Sequence, residues 1–308
     1  MIKLDLKNQR LLKEIEEDGF QSISSIAKKI QVSKEIAHYR LNKLIKIGFI
    51  IDFRLIVDYF LLGYKYYRLA LNIHNLKYDS RKRIISELKN IKKFDFRIYL
   101  STDWDLEINI WVKHSIDFYE FYSDLINKYG EFIIDKEIHI ITKLYLLNHT
   151  YLHNNFKIIT LGESKEYKNL DELDLKIIEE LQKNPRSNIV DLSTKLNIPV
   201  TTLYYRIKLL RKSKILKAIV PNFKKSLLGY NTYRVEMTLQ NPSQKNRLIT
   251  FLCSKTEVIR IAELIGNRDI DFEVDFKTTE ELDHFLEELR ISVNIIRDFE
   301  VINLVTGD

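Results

Sequence analysis

A single cysteine, Cys253, stands among 308 residues, which excludes an internal disulfide and leaves no thiol cluster for a metal. It reads as a small core residue. No apolar run approaches the roughly 18 residues that a membrane span needs. The opening MIKLDLKNQR lacks a signal-peptide core, so the expected compartment is the cytoplasm. There is no Walker motif, no dinucleotide fingerprint and no glycine-flanked nucleophile turn. The seven histidines do not fall at metal-ligand spacing; His149 and His153, four apart, read as a solvated linker pair. Catalysis has no anchor here, and no cofactor or metal is called for. One further absence is local: from Leu192 to Val235 there is not one acidic residue.

What is present is ordinary in bulk. Charged residues make up 30% and hydrophobic residues 45%, the balance of a soluble globular protein, and the length suits two to four domains. The net charge of +6 points only weakly to an acidic partner.

The chain is a tandem repeat. Residues 26–44, IAKKIQVSKEIAHYRLNKL, and 192–210, LSTKLNIPVTTLYYRIKLL, share a layout at an offset of 166. The same offset places Leu62-Gly63-Tyr64 on Leu228-Gly229-Tyr230, and Trp104-Asp105-Leu106-Glu107-Ile108 on Ile270-Asp271-Phe272-Glu273-Val274. Towards the end it slips by three, with Asp135 to Ile138 on Asp298 to Val301. A period this long duplicates whole domains.

Periodicity divides each copy in two. In copy one Leu11, Leu12 and Ile15, then Ile23, Ile26, Ala27 and Ile30, then Ala37, Leu41 and Leu44 define three amphipathic helices. Ser33 suits the cap of the third; in copy two Pro199 replaces it, a residue suited to a first helical turn. FIIDFRLIV after Gly48 reads as a short hairpin, which makes a winged helix-turn-helix. From residue 66 the order becomes βαββαβ, with strands near 66–73, 94–99, 106–112 and 135–142 and helices near 80–90 and 116–129. Copy two repeats it. The fold class is α+β, two winged helix-turn-helix domains alternating with two ferredoxin-like domains. The expected boundaries are 1–60, 61–145, a linker at 146–170, 171–226 and 227–308.

The residues LDELDLKIIEELQKNPRSNIVDLSTKLNI, with Asp174 and Pro185-Arg186, resemble the opening helices of the Lrp/AsnC (feast/famine) transcription regulators. Ser33, Arg40 and Leu41 in copy one, and Thr202, Leu203, Arg206 and Ile207 in copy two, fit part of that family's recognition-helix signature. Leu-Gly-Tyr and Gly266-x-x-Asp269 fit its effector domain. The resemblance implies double-stranded DNA as partner, dimerisation through effector-domain sheets, and an amino acid or related effector near the glycine turn. A tandem chain would dimerise internally; dimers of whole chains remain open. Leu100 stands where copy two has Gly266, a departure that counts against a copy-one effector site, although Asp103 is kept.

Candidate DNA-contacting residues are Lys34, His38, Tyr39, Arg40, Asn42 and Lys43 in copy one. In copy two they are Thr201, Tyr204, Tyr205, Arg206, Lys208, Arg211 and Lys212. Lysine and arginine supply phosphate contacts; tyrosine donates to phosphate, threonine methyls touch thymine and asparagine reads adenine. The acid-free stretch makes copy two the expected stronger binder, and the two helices should read different half-sites. Gly266, Arg268 and Asp269 are the effector candidates, an arginine and an aspartate meeting the carboxylate and amine of an amino acid. Sirohaem decarboxylases resemble the same two-domain unit, so an enzyme is the rival reading, and a sensor that has lost DNA binding a third.

Overall fold

Asp5 and Asp171 occupy the same place in the two copies and open a helix in the same way. The Asp5 carboxylate accepts from the Asn8 N–H at 2.7 Å and caps Leu6–Glu17. Asp171 accepts from the Asp174 N–H at 2.8 Å and caps Glu172–Lys183. Each satisfies an N–H group that a helix start leaves open. The computed structural model describes residues 2–73, 84–88, 95–101, 103–164 and 166–305, and the chain divides into two units.

Its strands are β1 (Ile50–Val57), β2 (Lys65–Ile73), β3 (Asp95–Ser101), β4 (Leu106–Val112), β5 (Ile133–Leu147) and β6 (Ile158–Leu161). Copy two supplies β7 (Leu216–Phe223), β8 (Asn231–Leu239), β9 (Val258–Ile265), β10 (Ile270–Phe276) and β11 (Ile296–Val305). No helix among the described residues is long and apolar enough to cross a membrane.

The first unit comprises Met1–Leu62, Leu147–Ile159 and Ser164–Tyr230 and holds both helix-turn-helix domains. Copy one has helices Leu6–Glu17, Ile23–Lys29 and Lys34–Lys46; copy two has Glu172–Lys183, Ile189–Leu196 and Val200–Lys212. Leu11, Leu12, Ile15, Ile26, Ala37 and Leu44 meet in one core. Each buried leucine or isoleucine there contributes about 1.5–3 kcal/mol. The sharp turn before each third helix falls on Gln31 (φ 57°) and Asn197 (φ 53°), both left-handed. Ser33 caps its helix as the sequence suggests, accepting from the Ile36 N–H at 3.2 Å. Pro199 sits at the cap position itself, one residue before the first turn.

The expected hairpin is not formed. FIIDFRLIV contains no glycine, proline or asparagine to turn on. It runs on as one strand, β1, which pairs antiparallel with its own counterpart, β7. Arg54 lies opposite Val220, its own counterpart at the 166 offset, so a pseudo-twofold axis passes through that pair. Each copy thus covers the other's strand edge.

The second unit comprises Gly63–Leu146, Thr160–Glu163 and Asn231–Asp308. Each copy forms a four-stranded antiparallel sheet in ferredoxin-like order, β5-β2-β4-β3 and β11-β8-β10-β9. Pairings β5–β9 and β3–β11 join the two sheets, so that eight of the nine strands close into a ring. Tyr67, Leu69, Leu71, Ile108, Ile110, Phe118, Phe121 and Leu125 form the copy-one core between sheet and helix Ser115–Tyr129. The helix expected near 80–90 is described only at 84–88.

The segment expected to be a plain linker carries a helical turn, Thr150–His153, and β6. His149 and His153 are not solvated. They flank buried Glu16, His149 Nδ1 at 2.6 Å from Oε1 and His153 Nε2 bonded to Oε2. Burial alone would raise the Glu16 pKa, but the two imidazoles hold it down at about 2.

Candidate nucleic-acid interface

On the third helices the apolar period sends Leu41 and Leu44, or Leu203 and Leu210, inward. The opposite face is left to solvent. In copy one it presents Lys34, His38, Tyr39, Asn42 and Lys43, and in copy two Thr201, Tyr204, Tyr205, Lys208 and Lys212. Tyr39 is 65% exposed, and Tyr205, its counterpart at the 166 offset, 59%. A tyrosine kept outward in both copies gains nothing from burial, and its hydroxyl is free to meet a phosphate oxygen. The His38 and Asn42 side chains touch at 3.2 Å, one helical turn apart.

Three of the arginines expected to contact DNA are committed elsewhere. Arg40 donates to Asp5 at 2.7 Å and to Asn8 at 3.0 Å. Arg206 repeats this on Asp171 and Asp174. Both tie the third helix to the cap of the first. They belong to the scaffold, and their charge is already neutralised by the carboxylate that caps the helix. Arg211 donates to Asp18 at 3.1 Å and lies over the Phe20 ring at 4.4 Å, joining copy two to copy one.

These pairings correct the charge reading. The acid-free stretch is offset by acids from outside it: Lys195 pairs with Glu180, and Lys217 with Asp58 at 3.5 Å. What remains as an outward basic surface on the second third-helix is Lys208 and Lys212.

The two helix-turn-helix domains are locked together beyond the β1–β7 pair. Arg186 donates to the Gly19 carbonyl at 3.1 Å and lies over the Phe53 ring at 5.1 Å. Gly19 is tight against β7: a Cβ there would lie 2.1 Å from the Ile219 carbonyl oxygen. The sequence hinted at this only through Pro185-Arg186.

The effector candidates are also occupied. Gly266 has φ 152°, and a Cβ on it would lie 2.7 Å from the His139 ring and 2.9 Å from the Ile138 carbonyl oxygen. Its glycine serves close approach of the β9–β10 turn to β5. Arg268 donates to Asp298 and Glu300, each at 2.8 Å, and Asp269 accepts from the Leu239 N–H at 2.8 Å. The expected arginine and aspartate are thus each engaged with other partners. Of the corresponding copy-one turn, Thr102 lies outside the described residues.

Inside the ring of strands lies a cluster that sequence reasoning passed over. Arg68 donates to Glu236 at 2.9 Å and also to Asp271; Arg234 donates to Glu107; Arg260 donates to Asp271 at 2.8 Å. Arg68 and Arg234 are equivalent residues, both about 1% exposed. Beside them His139 is buried with both ring nitrogens lacking a hydrogen bond, and burial followed by the nearby Arg68 charge lowers its pKa to about 4. Alternating charged residues in Tyr-Arg and Asp-x-Glu, repeated in both copies, were the available signal. Among the described residues no group of three or more His, Cys, Asp or Glu is placed to hold a metal ion.

Comparison with known proteins gives four findings. The model of winged helix-turn-helix DNA-binding domains matches residues 4–51 and 170–217. An HTH-type transcriptional regulator of Pyrococcus abyssi is 30% identical over 119 residues, 38% of this chain and 80% of that protein. The HTH-type transcriptional regulator FL11 of Pyrococcus furiosus is 29% identical over 118 residues, 38% of this chain and 78% of its own length. Among solved structures, the sirohaem decarboxylase NirDL has the same fold over 97% of this chain and 91% of its own, with TM-score 0.63 and 14% identity.

Proposed function

Because this chain belongs to the Lrp/AsnC family of helix-turn-helix transcriptional regulators, we propose that it acts as one by reading two DNA half-sites with a single molecule. The observation that carries this is the pair of outward recognition faces, each with an exposed tyrosine and lysines, related by the pseudo-twofold axis at Arg54 and Val220. Lys34, Lys43, Lys208 and Lys212 serve as phosphate contacts; His38, Asn42, Thr201 and Tyr204 face the base edges. Genome-wide footprinting with the purified chain tests it. Protected sites should cluster upstream of genes, and affinity should fall as salt rises. Uniform low-affinity protection at all salt concentrations would overturn the reading.

The chain acts by binding rather than by catalysis. The similarity to the decarboxylase lies in the fold, and in this chain the buried arginines and carboxylates of the second unit pair with one another, although Arg68 Nε, Arg234 Nε and Glu107 Oε1 have no hydrogen bond. Mixed with sirohaem, the protein should give neither a bound Soret band nor carbon dioxide; either signal would replace this reading with the enzymatic one. An amino-acid effector fits the second unit only if Arg268 leaves Asp298 and Glu300, a rearrangement that calorimetry against amino acids would detect as a saturable heat.

A further inference from the structure

The pseudo-twofold axis makes the two recognition faces comparable position by position. Tyr39 corresponds to Tyr205 and Lys46 to Lys212, and all four are exposed. Between them the chemistry changes: Lys34 becomes Val200, Glu35 becomes Thr201, His38 becomes Tyr204, Asn42 becomes Lys208 and Lys43 becomes Leu209. These are the outward positions, where folding imposes no choice. Phosphates are alike at every step of a duplex, whereas base edges are not. The faces keep one tyrosine and one lysine; Lys34/Val200, Asn42/Lys208 and Lys43/Leu209 shift where lysines meet phosphates, and Glu35/Thr201, His38/Tyr204 and Asn42/Lys208 alter what the faces read.

The faces are also held in one fixed relation. β1 pairs with β7 along its length, Arg211 is clamped on Asp18 and Phe20, Arg186 on Gly19 and Phe53, and Gly19 allows the backbones to touch. The clamps are themselves unlike: Arg211 corresponds to Ile45, and Arg186 to Phe20. No exchange of the two halves superimposes the molecule on itself.

We infer that the operator of this protein is a non-palindromic duplex of two unlike half-sites at one fixed spacing, so that the molecule sits on DNA in a single direction. This rests on the DNA-binding reading above. A palindrome, whose two halves are equal by symmetry, would offer each face the same bases. Any insertion at the centre moves one half-site by about 3.4 Å and rotates it about 34° per base pair.

Selection of bound sequences from a random duplex pool with the full chain tests this. The expected product is one asymmetric element, and one or two base pairs inserted at its centre should reduce affinity at least tenfold. A second protein sharpens it: the full chain carrying V200K, T201E, Y204H, K208N and L209K, all exposed positions that leave the core untouched. Its selected element should become an inverted repeat of the half-site read by copy one. A palindrome selected by the natural chain, or an unchanged element selected by the five-fold variant, overturns the inference while leaving DNA binding intact. Failure of the natural chain to enrich any sequence overturns the DNA-binding reading itself.

Discussion

Gly48 follows the first recognition helix at φ 73°, and Lys214 follows the second at φ 62°. The two copies need the same left-handed residue at the same helix end, yet only copy one uses glycine, the residue with no steric penalty there. The ferredoxin-like domains differ in the same manner. His139 on β5 lies opposite Arg68, whereas the matching pair on β11 and β8 is Ile302 and Arg234. The seam β5–β9 pairs six residues, and the equivalent β11–β3 pairs two among the described residues. What both copies preserve is geometric: caps, third-helix arginines, one buried arginine each. What they have let diverge is surface chemistry and individual interior contacts. Duplication within one chain permits this, since neither half must any longer fit an identical twin.

The comparison can be broken most severely at the buried arginines. Arg68→Met removes the copy-one charge that both Glu236 and Asp271 contact, leaving carboxylates buried without it. Breaking one side of such a cluster costs about 3–5 kcal/mol, so chemical denaturation should show a large fall in midpoint. A change under about 1 kcal/mol would mean that the cluster reorganises freely.

The interior histidine gives the next effect. Below pH 6.5 an unfolded histidine takes up a proton that folded His139 refuses until about pH 4, so stability falls as pH drops through that window. The fall reaches about 3 kcal/mol, at 1.36 kcal/mol per pH unit. His139→Ile, which installs the copy-two residue, should flatten the melting temperature between pH 6.5 and 4. Glu16 titrates lower, and its stabilisation disappears only as pH falls from 4.5 towards 2.

For DNA, replacing Lys208 and Lys212 by alanine should lower the slope of log K against log salt by about 0.9 for each phosphate left unneutralised. The same change at Lys34 and Lys43 tests whether copy one grips equally; the side chains expected to differ in kind, Arg40 and Arg206, should leave the slope unchanged. The smallest effect is Lys214→Gly, which relieves a left-handed lysine and should stabilise by about 1 kcal/mol. Thermal melts that move downward instead would show that Lys214 makes an interaction worth more than its strain.

Much of this architecture is legible in the chain. The offset of 166 and the switch from helical to alternating periodicity locate nearly every element, and Ser33 caps where its residue type predicts. The hairpin reading fails because an apolar β-rich run has the same pattern whether its partner is ten residues away or 166. The arginine reading fails for a related reason. Composition counts a cation as available, whereas Asp5, Asp171 and Asp18, which neutralise Arg40, Arg206 and Arg211, are 35 to 193 residues distant. The exposed tyrosines can be read correctly because their positions follow from the helical period alone. Gly266 stands out as a special backbone site, but close approach to a strand and close approach to a ligand leave the same residue in the sequence.

The ring of strands in the second unit has a consequence for life at high concentration. An open ferredoxin-like sheet ends in unpaired amides and carbonyls, which recruit another chain's strand and so seed aggregates. Here β5 is covered by β9, and β3 by β11, so each half occupies the adhesive edges of the other. In a protein assembled from separate subunits that protection would vanish on dilution or during synthesis. With both halves on one polypeptide it cannot be diluted away.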